Sequence, residues 1–255
     1  GSGAVYDVGA NVGLFSFAML AHGRRRVGGG GRLPIKIHAF EPQPPLCHII
    51  SGNVAIQNAW QDVVPHNTAV GAKAGLLSLP VYNYNAPERF AQMSVIGMPN
   101  MWGQRPLPAH GGTEKPTETY SVPVTTLTDL VAPERPDQVP LDCPQLIKVD
   151  VEGAEISVLE GSNGMMKLCR STGRPYLYLE EHNYENSAVV KYVYKQLGYA
   201  RCYFHFFPYY LAENFAGSTV HPSWAAETSR NVLCVPPERF ELFQQRVVGV
   251  GEALT

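Results

Sequence analysis

Apolar residues fall along the chain in short blocks, each closed by glycine, proline or an acid and followed by a stretch with wider apolar spacing. Val5, Tyr6 and Val8 make the first block, Gly9 to Gly13 interrupt it, and an apolar run follows at 14–20. Short apolar blocks bounded by turn residues read as buried strands, and the wider spacing reads as helices packed on them. The rhythm repeats as a strand at 35–40, a helix at 45–59 and a strand at 62–70. Segments 76–81 and 120–126 alternate as strands, and a short helix follows at 126–130. The block opening at Leu146 is a strand that delivers Asp150 to its end, and Val158 and Leu159 give the next helix its apolar face, with a further turn at 165–169. A strand at 176–179, a helix at 187–197, strands at 201–207 and 231–235 and a helical tail at 238–245 complete the series. Strands alternating with helices predict an α/β fold built on a parallel sheet.

Three stretches break the rhythm. Residues 24–34 hold Arg24-Arg25-Arg26 and a glycine run, which reads as a solvated loop. Residues 82–119 are rich in Pro, Gly and Asn yet carry Met93, Val95, Met101 and Trp102, so they read as a cover over an acceptor or as a mobile insertion. Residues 208–230 are a long connection rich in Tyr, Asn and Trp. The 255 residues suit a single domain, 1–255, with long loop insertions at 82–119 and 208–230. Gly1-Ser2-Gly3 followed at once by a strand raises the expectation of a chain truncated at its N-terminus.

Composition narrows the function classes. A net charge of -2 leaves no electrostatic footprint for nucleic acid. No apolar stretch is long enough to cross a bilayer. The cysteines, Cys47, Cys143, Cys169, Cys202 and Cys234, are odd in number and form no C-x-x-C pair. They read as free thiols, and the expected location is the reducing cytoplasm. Oligomeric state is left open.

The first turn carries the chemistry. Asp7-Val8-Gly9-Ala10-Asn11-Val12-Gly13 lacks the G-x-G-x-x-G of a dinucleotide site. A carboxylate at such a turn repels pyrophosphate and welcomes a cation, such as a ligand bearing an ammonium and a sulfonium. Glu41, fixed by Pro42 at the tip of the second strand, suits a ribose diol, since a carboxylate accepts two hydroxyl hydrogen bonds. Asn67 ends the third strand where adenine would be held, or bonds its own loop. The turn resembles the first motif of class I S-adenosylmethionine (SAM) methyltransferases.

Three blocks, Asp7 to Gly13, His38-Ala39-Phe40-Glu41-Pro42 and Ile147-Lys148-Val149-Asp150-Val151-Glu152-Gly153-Ala154-Glu155, together resemble the FkbM-type methyltransferases. Segments 203–205, 214–217 and 231–236 add to the likeness. The resemblance implies a Rossmann-like, three-layer class I methyltransferase sandwich with a seven-stranded sheet of order 3-2-1-4-5-7-6, only the last strand antiparallel. It also implies SAM as cofactor and O-methylation of a sugar, glycan or small metabolite. Leu127-Thr128-Asp129-Leu130 departs from the family's Leu-Asp-Asp-Leu, a change expected to touch a helix cap.

On this reading Asp7, Gly9, Asn11, Gly13, Glu41, Asn67 and Asp150 bind the cofactor. Asp150, Glu181 and His182 are the candidates to activate an acceptor hydroxyl, because a weak nucleophile benefits from a nearby base. His205 is expected to pack among aromatics. Glu152 and Glu155 are expected to orient backbone and cap the following helix. No metal ligands are assigned, but Asp150 with Glu180 and Glu181 could hold Mg²⁺ or Ca²⁺ against a vicinal diol. The rival classes are an inactive SAM-fold binding module and a nicotinamide dehydrogenase.

Overall fold

The computed structural model describes residues 3–26, 35–81, 118–134, 136–181, 186–205 and 231–246. Along them run β1 (Gly3–Val8), α1 (Leu14–Arg26), β2 (Ile35–Phe40), α2 (Pro44–Ile56), β3 (Val63–His66), β4 (Ala69–Val70), β5 (Gly75–Pro80), β6 (Thr119–Thr125) and α3 (Leu127–Val131). Then come β7 (Pro144–Val149), α4 (Glu155–Glu160), α5 (Asn163–Leu168), β8 (Tyr176–Glu180), α6 (Ala188–Lys195), β9 (Arg201–His205), β10 (Asn231–Val235) and α7 (Phe240–Arg246). His182, residues 82–117 of the long insertion and residues 208–230 lie outside the described residues.

The main sheet has the order β3-β2-β1-β7-β8-β10-β9. Strand β10 runs antiparallel to both its neighbours, and the pairs from β3 to β8 are parallel. Counted within this sheet alone, that is the expected 3-2-1-4-5-7-6 order with the last strand reversed. Residues two apart on a strand share a face, so the alternation sorts the core into two layers. Val5, Ile37, Ala39 and Val63 pack with Leu20, Ile50 and Val54 of α1 and α2. On the opposite face Tyr6, Ile147, Val149, Leu177 and Leu179 pack with Val158, Leu159, Met165, Val189 and Val193 of α4, α5 and α6. Burying each such side chain stabilises the fold by about 2 kcal/mol. Tyr6 is fully buried, and its hydroxyl donates to the Asp142 carbonyl at 2.9 Å, the partner a buried phenol requires.

Three expectations are corrected. The strand expected at 62–70 is two strands. Thr68 donates to the Pro123 carbonyl at 2.9 Å, and β4 leaves the main sheet to pair with β6. The alternating segments at 76–81 and 120–126 then form, with β4, a second sheet of order β4-β6-β5 around Leu77, Leu79, Val122 and Val124. Arg24 does not begin a loop, because α1 continues to Arg26. Its guanidinium donates to the Gln57 and Asn58 carbonyls and pairs with Asp62 at 3.0 Å. The free-thiol expectation fails for four cysteines: Cys143 is bonded to Cys169 and Cys202 to Cys234, and only Cys47 is free and buried. The ground for expecting a reducing compartment goes with it. Scattered spacing in sequence concealed the pairing, because the sheet sets Cys202 directly opposite Cys234 across β9 and β10.

The departure at 127–130 changes a junction. Thr126 caps α3 by accepting from the Asp129 amide, while the Thr128 hydroxyl donates to the Gly161 carbonyl at 2.7 Å and accepts from the Gly164 and Met165 amides. The cap role thus falls to Thr126, two residues before the departing Thr128, and Thr128 ties α3 to the break between α4 and α5.

Candidate active site

The tips of β1, β2 and β7 meet at one edge of the sheet. β1 ends in a turn in which Gly9, Asn11 and Gly13 have φ of 75°, 51° and 84°. This left-handed region is cheap for glycine and tolerable for asparagine. Gly9 also has no room for a side chain, since a Cβ would sit 1.8 Å from the Asp150 carbonyl oxygen. The Gly9 and Ala10 amides both donate to the Phe40 carbonyl at 3.0 Å, so the turn folds over the end of β2 and against the end of β7.

Asp7 is fully buried beneath this turn. One carboxylate oxygen accepts from the Ser16 hydroxyl of α1 at 2.7 Å, and the other lies 3.2 Å from the Lys148 ammonium. Its carboxylate therefore organises the turn from below. Lys148 also lies 3.3 Å from Asp150 and donates to the Gly9 carbonyl at 2.7 Å. In register across the sheet, Asp7, Lys148 and Tyr178 form one row on the face that α1 covers. Phe15 of α1 stacks on Tyr178 at 6.2 Å.

Glu41 sits buried at the tip of β2. Its two oxygens accept from the Asn11 amide at 2.8 Å and the Gln43 amide at 2.9 Å, binding the two loops to one carboxylate. Burial pushes its pKa up to about 7, against the pull of those two amides and of Lys148. Asn67 donates to the Glu41 and Pro42 carbonyls at 3.0 and 2.9 Å, so its amide secures the loop that carries Glu41.

Asp150 is the most exposed of these acids, with 38% of its side-chain surface open. Asp150, Glu152 and Glu180 bring carboxylate oxygens within 4.8 Å of one another. Glu180 is buried, and burial first, then Asp150, to which it hydrogen-bonds, raises its pKa well above the ordinary glutamate value. Glu152 enters this cluster on a left-handed residue with φ of 53°. Glu155 takes the backbone role expected of it, accepting from the Val151 and Gly153 amides at 3.2 and 3.1 Å.

Glu181, the neighbour of Glu180, is held elsewhere. Its carboxylate accepts from the Ser187 hydroxyl, which caps α6 by accepting from the Val190 amide. Alternation along the strand tip separates it from Asp150. His205 ends β9 opposite Asn231. Thus Asp7, Gly9, Asn11, Gly13, Glu41, Asn67 and Asp150 are brought together, and Glu181 is not. Lys148, Ser16 and Glu180 join them. Lys148 is the one with a visible signal: a cation inside an apolar strand block, two residues from Asp150 and therefore on its face.

The methyltransferase FkbM domain profile matches residues 7–202. Methyltransferase sdnD of Sordaria araneosa is 31% identical over 166 residues, which cover 62% of this chain and 59% of that protein. The match thus spans less than two thirds of that relative's length. The crystal structure of methyltransferase FkbM from Methylobacillus flagellatus KT superposes with a TM-score of 0.51 at 14% identity, covering 91% of this chain and 43% of that one, a likeness of fold. With a profile match over most of its length, this chain belongs to the FkbM methyltransferase family.

Proposed function

We propose that the chain is a SAM-dependent methyltransferase that methylates a hydroxyl oxygen on a sugar, glycan or small metabolite. The observation that carries this reading is the meeting of the Gly9–Gly13 turn, Glu41 and Asp150 at the tips of three adjacent strands. The residues fit the cofactor. Asp150 and Glu41 face Lys148 as the one cation placed among these tips in the described residues, and that cation is already shared among Asp7, Asp150 and Gly9. A net acidic edge attracts a sulfonium and an ammonium and repels a pyrophosphate.

When bound, SAM supplies a methyl group activated on a sulfonium for in-line displacement. The protein's part is alignment and electrostatics. Glu41 accepts from the ribose hydroxyls with the lone pairs its two amides leave free. The turn backbone and Asp150 hold the methionine end. Asp150, partly open and beside Glu180, is the favoured candidate base to take the acceptor's proton as the oxygen–methyl bond forms. Phe15 stacked on Tyr178 offers an apolar wall beside it. His182 stays a second candidate base on its position after β8.

The relative sdnD is itself named a methyltransferase, which supports the same class of activity. Titration with S-adenosylhomocysteine and with NAD tests the cofactor. Binding of NAD alone, or of neither, refutes the reading and favours a dehydrogenase or an inactive module. A transfer screen with labelled methyl donor over glycans and small hydroxylated metabolites tests the acceptor. A second reading, metal-assisted transfer to a vicinal diol, is favoured by the Asp150–Glu152–Glu180 cluster. Turnover that survives exhaustive chelation refutes it. For location, the two disulfides favour an oxidising compartment.

A further inference from the structure

Resting on the cofactor reading above, we infer that Lys148 is a positioning residue: it locks the glycine turn of β1 to the carboxylate tip of β7 and so fixes the cradle for the cofactor's methionine end. On its face of the sheet Leu146 lies behind it and Tyr178 beside it, with Asp7 on the other side and Asp150 ahead. A buried ammonium there costs more than a hydrocarbon of the same length unless all its donors are used.

Lys148 is buried, and its ammonium has three polar contacts: it donates to the Gly9 oxygen at 2.7 Å and forms ion pairs with Asp7 at 3.2 Å and Asp150 at 3.3 Å. Burial alone would pull its pKa down, but Asp7 and Asp150 raise it above the ordinary lysine value, so the group stays charged. Each acceptor tells something different. Asp7 is fully enclosed and needs a counter-charge for the fold to tolerate it. Asp150 is open to solvent and has no such need. Nor does the Gly9 carbonyl, a neutral group on a half-buried turn. Two of the three contacts therefore serve groups at the ligand-facing end. They orient a carbonyl on one strand tip and a carboxylate on the next, across a contact where Gly9 backbone already lies against Asp150 backbone.

The experiment separates this role from charge balance. S-adenosylhomocysteine affinity is measured calorimetrically for wild type, Lys148→Met, Asp7→Asn and the double variant Asp7→Asn/Lys148→Met, well below each thermal midpoint. Removing Lys148 alone strands a buried carboxylate and lowers the midpoint, and Asp7→Asn relieves that loss. The expected result is that Lys148→Met weakens affinity at least tenfold on the Asp7→Asn background too. If the double variant binds as tightly as Asp7→Asn, Lys148 only neutralises Asp7 and the inference is overturned. Should the double variant not fold, Lys148→Arg keeps the charge on a longer planar head. Folded protein with affinity lowered about fivefold or more supports the inference, and unchanged affinity overturns it. If wild type does not bind S-adenosylhomocysteine, the cofactor reading falls and takes this one with it. If wild type binds and the variants match it, only the Lys148 role falls.

Discussion

Glu41 gives the sharpest test of the cofactor pocket. Its carboxyl is 4% exposed and titrates at about 7, well above the ordinary glutamate, because burial outweighs two amide hydrogen bonds and the nearby Lys148. A ribose diol donates hydrogen bonds and so binds the ionised form. Protons compete with the ligand once the pH falls below about 7. Affinity for S-adenosylhomocysteine should then fall by about tenfold per pH unit, or ~2.7 kcal/mol over two units. The ligand's α-amino group titrates near ~8, so the window between about pH 5 and 7 isolates the protein's contribution. In the ligand-free protein Glu41's own contribution to stability should show the opposite slope. A carboxyl raised from 4.5 to about 7 is protonated in the folded state while the unfolded chain has released its proton. That contribution therefore falls as pH rises through this window, by up to about 3 kcal/mol, and is read as the difference between wild type and Glu41→Gln, in which the histidine contributions cancel. Glu41→Gln should abolish the affinity slope and weaken binding at pH 8. Calorimetry across the pH series reads the first slope, and denaturant unfolding reads the second. Flat affinity from pH 5 to 8 in the wild type, or an undiminished slope in Glu41→Gln, refutes Glu41 as the ribose acceptor.

Other outcomes follow from the same coordinates. Gly9→Ala pushes a methyl against the Asp150 carbonyl at a φ of 75°, so it should destabilise by more than about 2 kcal/mol and abolish cofactor binding, read by thermal unfolding and titration. His38 and His66 share a 2.9 Å hydrogen bond, and burial holds their pKa values down at about 3 and 4. Both must charge on unfolding, so stability should fall as pH drops below the unfolded value of about 6.5, and His66→Gln should shallow that limb in acid unfolding curves. Thiol labelling of denatured, unreduced protein should modify one cysteine, and reduction should expose all five. Reduction of the Cys143–Cys169 loop, with its 26-residue separation, should cost roughly 3 kcal/mol in the chain-entropy account. Labelling of more than one thiol before reduction would refute the pairing.

The main sheet was legible because its strands are short, apolar and punctuated, and because Asp7, Glu41 and Asp150 each stand where a strand meets a turn. Alternation could not reveal that β4 deserts the main sheet. Residues 62–70 carry a polar interruption, His66-Asn67-Thr68, between two apolar pairs, but that a new sheet begins there rests on Asn67 and Thr68 bonding to other segments. Glu181 and Glu180 are adjacent and chemically identical in sequence. Strand alternation sends one to Asp150 and the other to Ser187, a difference that needs the register at the tip of β8. Lys148 stands inside the third sequence block, where nothing in its own strand shows its task. Its role depends on Asp7 lying opposite it in the neighbouring strand.

The disulfides constrain how the chain is assembled. Each joins cysteines that are consecutive among the five in sequence, and the two closed loops follow one another without overlap. Cys47 precedes them all and stays unpaired, buried in α2 with its thiol pKa raised by burial. A chain emerging from its N-terminus would offer Cys47 as the earliest partner for Cys143. Burial in α2 keeps the Cys47 thiol from competing for the later cysteines. A mutation that loosens α2 should therefore expose Cys47 and appear as scrambled disulfides.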